Sequence, residues 1–237
     1  MIRGLLGKKL GMTQIFDKDG NIIPVTVVEI GPCTVLDVKE APKKKVTVGY
    51  EPVNETKLNK PQSGYFKKIG VKPLKYIKEF NSTDNSNYKV GNELKADVFK
   101  AGDFVDIQGI TIGKGFQGGI KRWNWVGGPA THGSMHHRRV GSIGASSDPS
   151  RVLKGTNMPG HMGARTSSIQ NLRVINVDLE NNFILVNGPV PGHKNANVTV
   201  LKSQKRAWKS LDEQKVVHEH KRNPMKQSKA KAAGKAK

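Results

Sequence analysis

Residues 113–139 read GKGFQGGIKRWNWVGGPATHGSMHHRR, joining a complete G-x-G-x-x-G to two tryptophans, three histidines and five cationic side chains. Several chemistries compete for such a stretch. A dinucleotide site needs a helix to open on the pyrophosphate after those glycines, with an acid about 20 positions on for the ribose. Here Gly127, Gly128 and Pro129 stand where the helix should run, and the first acid after Gly118 is Asp148. The Lys-Ser/Thr ending of a triphosphate loop is not there either. His132 and His136 have the i, i+4 spacing of a metal pair, with His137 beside them. Gly133 interrupts any helix across that pair, and no Cys or carboxylate stands near to complete a ligand set. Ser134 and Ser142 lie near histidines without an orienting Asp or a nucleophile-elbow pattern.

Contact with RNA uses every residue type present. Lys and Arg neutralise phosphates, glycines let the backbone approach them, and aromatic rings stack on exposed bases. The candidate cations are Lys8, Lys9, Lys114, Lys121, Arg122, Arg138, Arg139, Arg151, Lys154 and Arg165. Close passage falls to Gly115, Gly118, Gly133, Gly141, Gly144, Gly155, Gly160 and Gly163, with Ser142 among them. Stacking or wedging falls to Phe116, Trp123, Trp125, His132, His136, His137, Met158, His161 and Met162. A merely solvated basic linker is the competing reading, but such a linker has no reason to carry these aromatics, Met135 or the other methionines.

The charge supports the same partner. Forty Lys and Arg against nineteen Asp and Glu leave +21 over 237 residues, an imbalance that repels itself unless a polyanion is present. It is concentrated: residues 114–165 carry +7 and residues 202–237 carry +9, so the remainder is close to ordinary. No run of about 18 apolar residues occurs, and Lys8 and Lys9 interrupt the start before a signal-peptide core accumulates. The expectation is a soluble, unexported protein. Its one cysteine, Cys33, allows neither an internal disulfide nor a cysteine zinc site, and is expected as a small buried apolar side chain.

The elements that must position this stretch read as mainly β. Strands are expected at MTQIF, IIPVTVVEI, TVLDVKE, KKVTVGY, GDFVDIQGITIG and NVTVL. SIQNLRVINVDLENNFILVNGPV reads as a hairpin turning at Glu180, Asn181 and Asn182. Such spacing argues for a closed or nearly closed antiparallel barrel. Residues 51–98 are broken by Pro61, Pro73 and NSTDNSN and are expected as a small α+β insertion with a helix near 62–69. Between 112 and 168 neither periodicity survives; the eleven glycines of residues 114–165 and prolines at 129, 149 and 159 predict a structureless loop that leaves the body and returns. About 25 residues each way span at most roughly 80 Å at about 3.3 Å per residue. Residues 203–237 are expected to be a basic tail, disordered without a partner, apart from a helical turn around 211–219.

The spaced set Phe99, Asp106, Gly109, Thr111, Gly113-Lys114-Gly115, Gly118 and Arg122 resembles the signature of the large-subunit ribosomal protein L3 family in its bacterial form. GLLGKKLGMTQIF, THG, GSIG at 141–144, KGTNMPGHMG at 154–163 and the final hairpin are similar to it too, so the likeness spans about residues 1–202. It implies a barrel of the kind shared with translation factors, made by 1–112 and 166–202 with 51–98 inserted, and a loop at 113–165 entering large-subunit rRNA towards the peptidyl-transferase centre, its tip around 137–150 near the catalytic RNA without joining it. It also implies binding near the 3′ domain of that RNA early in assembly, beside large-subunit proteins L-fourteen and L-nineteen. No cofactor, metal, membrane or small-molecule substrate follows. Many bacterial members carry a methylated glutamine after GSIG; Ala145 stands there, so that modification is not expected. The tail beyond Lys202 is longer than the family pattern requires. Two alternatives stay open: a nucleotide-dependent enzyme built on 113–118, and a transient ribosome-assembly factor.

Overall fold

The computed structural model describes residues 2–211 apart from 18, 41 and 85–87. Strand β1 (Gly4–Phe16) turns at residues 17–21 into β2 (Ile22–Ile30), with Gly20 at φ +77°. β1 is far longer than MTQIF because glycine lets it run close to its neighbour: a Cβ on Gly7 would fall 2.4 Å from the Glu29 carbonyl oxygen. A register shift between Lys9 and Gly11 bends the pair.

Next come β3 (Cys33–Lys39), β4 (Lys45–Pro52), helix α1 (Lys60–Ile69), β5 (Leu74–Asn81) and β6 (Glu93–Leu94), the strands forming a sheet in the order β5-β4-β3-β6. The helix near 62–69 is therefore present and starts two residues earlier. Pro61 suits its first turn, Gln62 Oε1 accepts the Asn59 N–H at 3.4 Å, and Gly70 ends it at φ +74°. Phe66 fixes α1 by packing on Leu36 and Leu74, a burial worth roughly 2–3 kcal/mol.

The chain then enters β7 (Phe104–Ile110), β8 (Gly115–Gln117), α2 (Gly119–Trp123), β9 (Gly160–Met162), β10 (Thr166–Asp178), β11 (Phe183–Asn187) and β12 (Asn197–Lys202). Six antiparallel strands close on themselves as β1-β12-β7-β10-β11-β2. Alternation sends Val105 and Ile107 of β7, Ile184 and Val186 of β11, and Val198 and Val200 of β12 inward. The hairpin turns where expected, with Asn182 at φ +56° and the Asn181 amide bonded to the Asp178 carboxylate at 2.8 Å.

Three expectations need correcting. Strands β3 and β4, read from sequence as barrel body, belong to the second sheet, so the inserted portion begins at Cys33 and not at 51. Their alternation is the same in either sheet, and one core serves both: Cys33, Val35, Val46, Val48 and Phe80 pack with Leu5, Val28 and Ile107. Residues 113–165 are not structureless; a two-stranded ribbon and a short helix lie at their base. The start of the tail is folded back: Trp208 Nε1 donates to the Ala101 carbonyl at 2.8 Å, the Lys209 N–H to Gly102 at 3.2 Å, and the Arg206 guanidinium lies 5.3 Å from the Phe104 ring. Together with the Arg173 guanidinium, which donates to the Ser210 carbonyl at 2.5 Å, these contacts dock a segment that composition alone reads as unstructured. The helical turn expected around 211–219 lies, beyond Leu211, outside the described residues.

Candidate nucleic-acid interface

β7 and β10 pair antiparallel, with Ile110 opposite Thr166, so the two limbs of the extension leave the barrel side by side. They stay paired. The Thr111 N–H donates to Arg165 at 2.9 Å, the Ala164 N–H to Thr111 at 3.1 Å and the Lys114 N–H to Met162 at 2.9 Å. β8 then pairs with β9, placing Phe116 opposite His161, and 77% of Phe116 is exposed.

Above the ribbon the chain makes a knot of close contacts. Helix α2 begins after Gly118 and stops at Asn124, whose φ of +58° turns the chain over. Trp125 then packs closely against Gly119, where a Cβ would fall 1.9 Å from the indole. On the opposite limb a single acceptor, the Met158 carbonyl oxygen, receives the Arg122 guanidinium at 2.6 Å and the Trp123 indole N–H at 2.8 Å. The same guanidinium sits 5.0 Å from the Trp123 ring, so one arginine ties the limbs together and stacks.

Further out, the Gly128 N–H donates to His137 at 3.1 Å, and a Cβ on Gly128 would fall 1.7 Å from the His136 carbonyl oxygen. His137 Nδ1 lies 2.9 Å from the Pro129 carbonyl oxygen. His132, at φ +59° beside Gly133 at +72°, sits in a turn and on no helix. Gly141, Ser142, Gly144 and Gly155 fall in the exposed outer stretch, where the bonds among the described residues are local, such as Thr156 Oγ1 to Leu153 at 2.7 Å. Between the limbs lies a cavity of about 800 Å³, reached by Trp125, His136, Arg139, Ile143, Thr156 and Asn157. That volume admits a nucleotide-sized group.

The electrostatics of extension and body differ. Lys114, Lys121, Arg138, Arg139, Arg151, Lys154 and Arg165 are all exposed, and only Arg122 is half-buried. Among the described residues no ion pair includes a member of 114–165. On the body, by contrast, Lys39 and Lys45 flank Glu79 at 3.2 and 2.5 Å, Lys75 meets Glu51 at 3.5 Å and Lys202 meets Asp103 at 3.7 Å. The extension presents unneutralised charge on a frame that its own backbone holds in shape, the arrangement a polyanion requires.

Lys8 and Lys9 stand apart from this set, on β1. Lys8 reaches Glu51 at 4.0 Å, and the Lys9 ammonium donates to the Val190 and Gly192 carbonyls at 2.8 and 3.0 Å. Lys9 thus secures the loop before β12. Sequence reading missed Gly119, the floor under Trp125, and the outward apolar side chains of Val126, 98% exposed, and Leu153, 60% exposed. The adjacent G-G of Gly118 and Gly119 before IKRW was the available signal. Among the described residues no group of three or more His, Cys, Asp or Glu is placed to hold a metal ion. No described helix is long and apolar enough to cross a membrane.

The family model described as Ribosomal protein L3 matches residues 66–181. The chain is 50% identical over 206 residues to the large ribosomal subunit protein uL3 of Brachyspira hyodysenteriae (strain ATCC 49526 / WA1), covering 86% of this chain and 95% of that protein. It is also 50% identical over 206 residues to the protein of the same name from Brachyspira pilosicoli, covering 86% and 94%.

Proposed function

The chain belongs to the ribosomal protein L3 family, and from that membership we propose that residues 113–165 form a preshaped probe that threads large-subunit rRNA towards the peptidyl-transferase centre. As a member the protein is a structural, non-enzymatic constituent of the large subunit of the cytoplasmic ribosome. That sets aside both the nucleotide-dependent enzyme on 113–118 and the transient assembly factor.

The observation that carries the reading is the contrast in charge pairing: several lysines of the body, Lys39, Lys45, Lys75 and Lys202 among them, meet carboxylates, while no cation of the extension meets one among the described residues. Lys114, Lys121, Arg138, Arg139, Arg151, Lys154 and Arg165 take phosphates. Phe116, the exposed edge of Trp123, His132, His136 and His161 stack or wedge. Arg122, Trp125, Gly128, His137 and Met158 hold the frame, and the tip around 137–150 approaches the catalytic RNA without joining it. The barrel, of the kind shared with translation factors, docks near the 3′ domain of the rRNA early in assembly, beside proteins L-fourteen and L-nineteen.

Salt dependence tests this. The slope of log affinity against log salt changes by about 0.7–0.9 per phosphate contact. Replacing 114–165 by a short glycine linker therefore makes rRNA binding much less salt-sensitive if these cations meet phosphates, and leaves the slope unchanged if they do not.

A further inference from the structure

A second cavity, of about 540 Å³, lies on the body where the inserted sheet meets the barrel, at the root of the extension. Its walls are Tyr76, Ile77 and Lys78 of β5, the end of β7 with Ile110 and Ile112 beyond, and His193 with the start of β12. Ile77, Ile110 and Ile112 are 44%, 60% and 55% exposed. Three branched aliphatic side chains lining one groove form an apolar patch that scattered surface residues do not.

Two further features give the groove a direction and a charge preference. β5 is the outermost strand of its sheet, and on the side away from β4 residues 75–79 make no backbone hydrogen bond among the described residues. Such an edge is a template for one more strand. Lys78 is the one Lys or Arg in the lining. Its ammonium donates to Gln108 Oε1 at 2.8 Å and Thr199 Oγ1 at 3.1 Å, both neutral, and a lysine has three donors. Partial burial holds its pKa below the usual lysine value. The acids on neighbouring strands are engaged elsewhere, Glu79 by Lys39 and Lys45 and Glu51 by Lys75. A half-buried cation without a counter-charge is completed by a carboxylate.

We propose that an extended segment of another protein lies in this groove as an added strand on β5, its aliphatic side chains on Ile77, Ile110 and Ile112 and a carboxylate on Lys78. RNA fits less well, since it has no use for a free strand edge or an aliphatic floor and meets only one lysine there. A second copy of this chain would bring its own +21 charge against the first. The proposal stands whether or not the extension reads rRNA.

The test uses the full chain with isotope-labelled isoleucine methyl groups, titrated with eight-residue peptides of alternating Val/Ile and Thr carrying one Glu at successive positions. At least one Glu peptide should shift the signals of Ile77, Ile110 and Ile112, and its Gln counterpart should bind about tenfold or more weakly. Lys78→Met should erase that difference; the peptide swap on the unaltered chain keeps the test independent of how the variant folds. The proposal fails if no Glu peptide shifts these signals or if Gln serves as well as Glu. It fails equally if oligouridylate shifts the same methyl groups and competes with the peptide, which would make the groove an RNA surface.

Discussion

Arg122 and Met158, 36 residues apart, are joined by a hydrogen bond of 2.6 Å from the guanidinium to the carbonyl oxygen, and this bond fastens one limb of the extension to the other. Charge-assisted bonds of this kind contribute about 1.5–3 kcal/mol. The cation that sequence reads as a phosphate contact is thus first a structural clasp, and the limbs keep their spacing before any RNA arrives.

Removing the clasp should loosen the extension and spare the barrel. Arg122→Ala is expected to speed hydrogen exchange of the Lys114 amide by about tenfold or more, in line with that bond energy, with little change in the thermal midpoint. Arg122→Lys should not restore protection, because an ammonium lacks the planar fork that bonds Met158 while stacking on Trp123. Unchanged exchange in Arg122→Ala would mean the limbs are held otherwise.

Adjacent glycines should behave oppositely. At Gly118 a Cβ meets nothing within 4 Å, and φ is −70°, so Gly118→Ala is tolerated. At Gly119 the same atom would fall 1.9 Å from the Trp125 ring. Gly119→Ala is expected to expel Trp125, red-shift its fluorescence and weaken rRNA binding; equal spectra for the two variants would contradict the packing.

Two lysines separate stability from binding. Lys9→Met removes the donor to Val190 and Gly192 and should cost about 1–3 kcal/mol of stability with no change in the salt slope of rRNA binding. Lys121→Ala should leave stability unaltered and make the slope shallower by about 0.7–0.9. Chemical denaturation beside filter binding at several salt concentrations distinguishes them.

Cys33 is fully buried, with Sγ 3.4 Å from the Leu6 carbonyl oxygen, and burial pushes its thiol up to about 12 from 9.0. Because the folded pKa lies above the unfolded one, the contribution to stability is complete below pH 9 and is lost as pH rises from 9 towards 12. A thiol reagent at pH 8 should leave the native chain unlabelled and react upon unfolding, while Cys33→Ala should flatten the alkaline loss of stability. Rapid labelling of the native chain would place the thiol elsewhere.

The barrel strands were legible because alternation such as that of Val105 and Ile107 survives in any sheet, and the turn at Asn182 because asparagine tolerates positive φ. Which sheet a strand joins was not legible: β3 and β4 alternate as barrel strands do and are assigned to the second sheet only by their partners β5 and β6. The cations and aromatics of the extension, on which its reading as an interface rests, were legible directly from the sequence. Its internal order was not, because it rests on contacts without periodicity: Trp125 on Gly119, Arg122 and Trp123 on one carbonyl, and Gly128 against His136. The same holds for Trp208, whose indole finds Ala101 across 107 residues.

The most direct test of the central claim is chemical footprinting of large-subunit rRNA with the full chain and with the chain whose residues 114–165 are replaced by a short glycine linker. The probe account predicts that the full chain protects nucleotides near the peptidyl-transferase centre that the shortened chain leaves reactive, while both protect the site where the barrel docks. Identical footprints would contradict it and assign the binding to the body and tail alone.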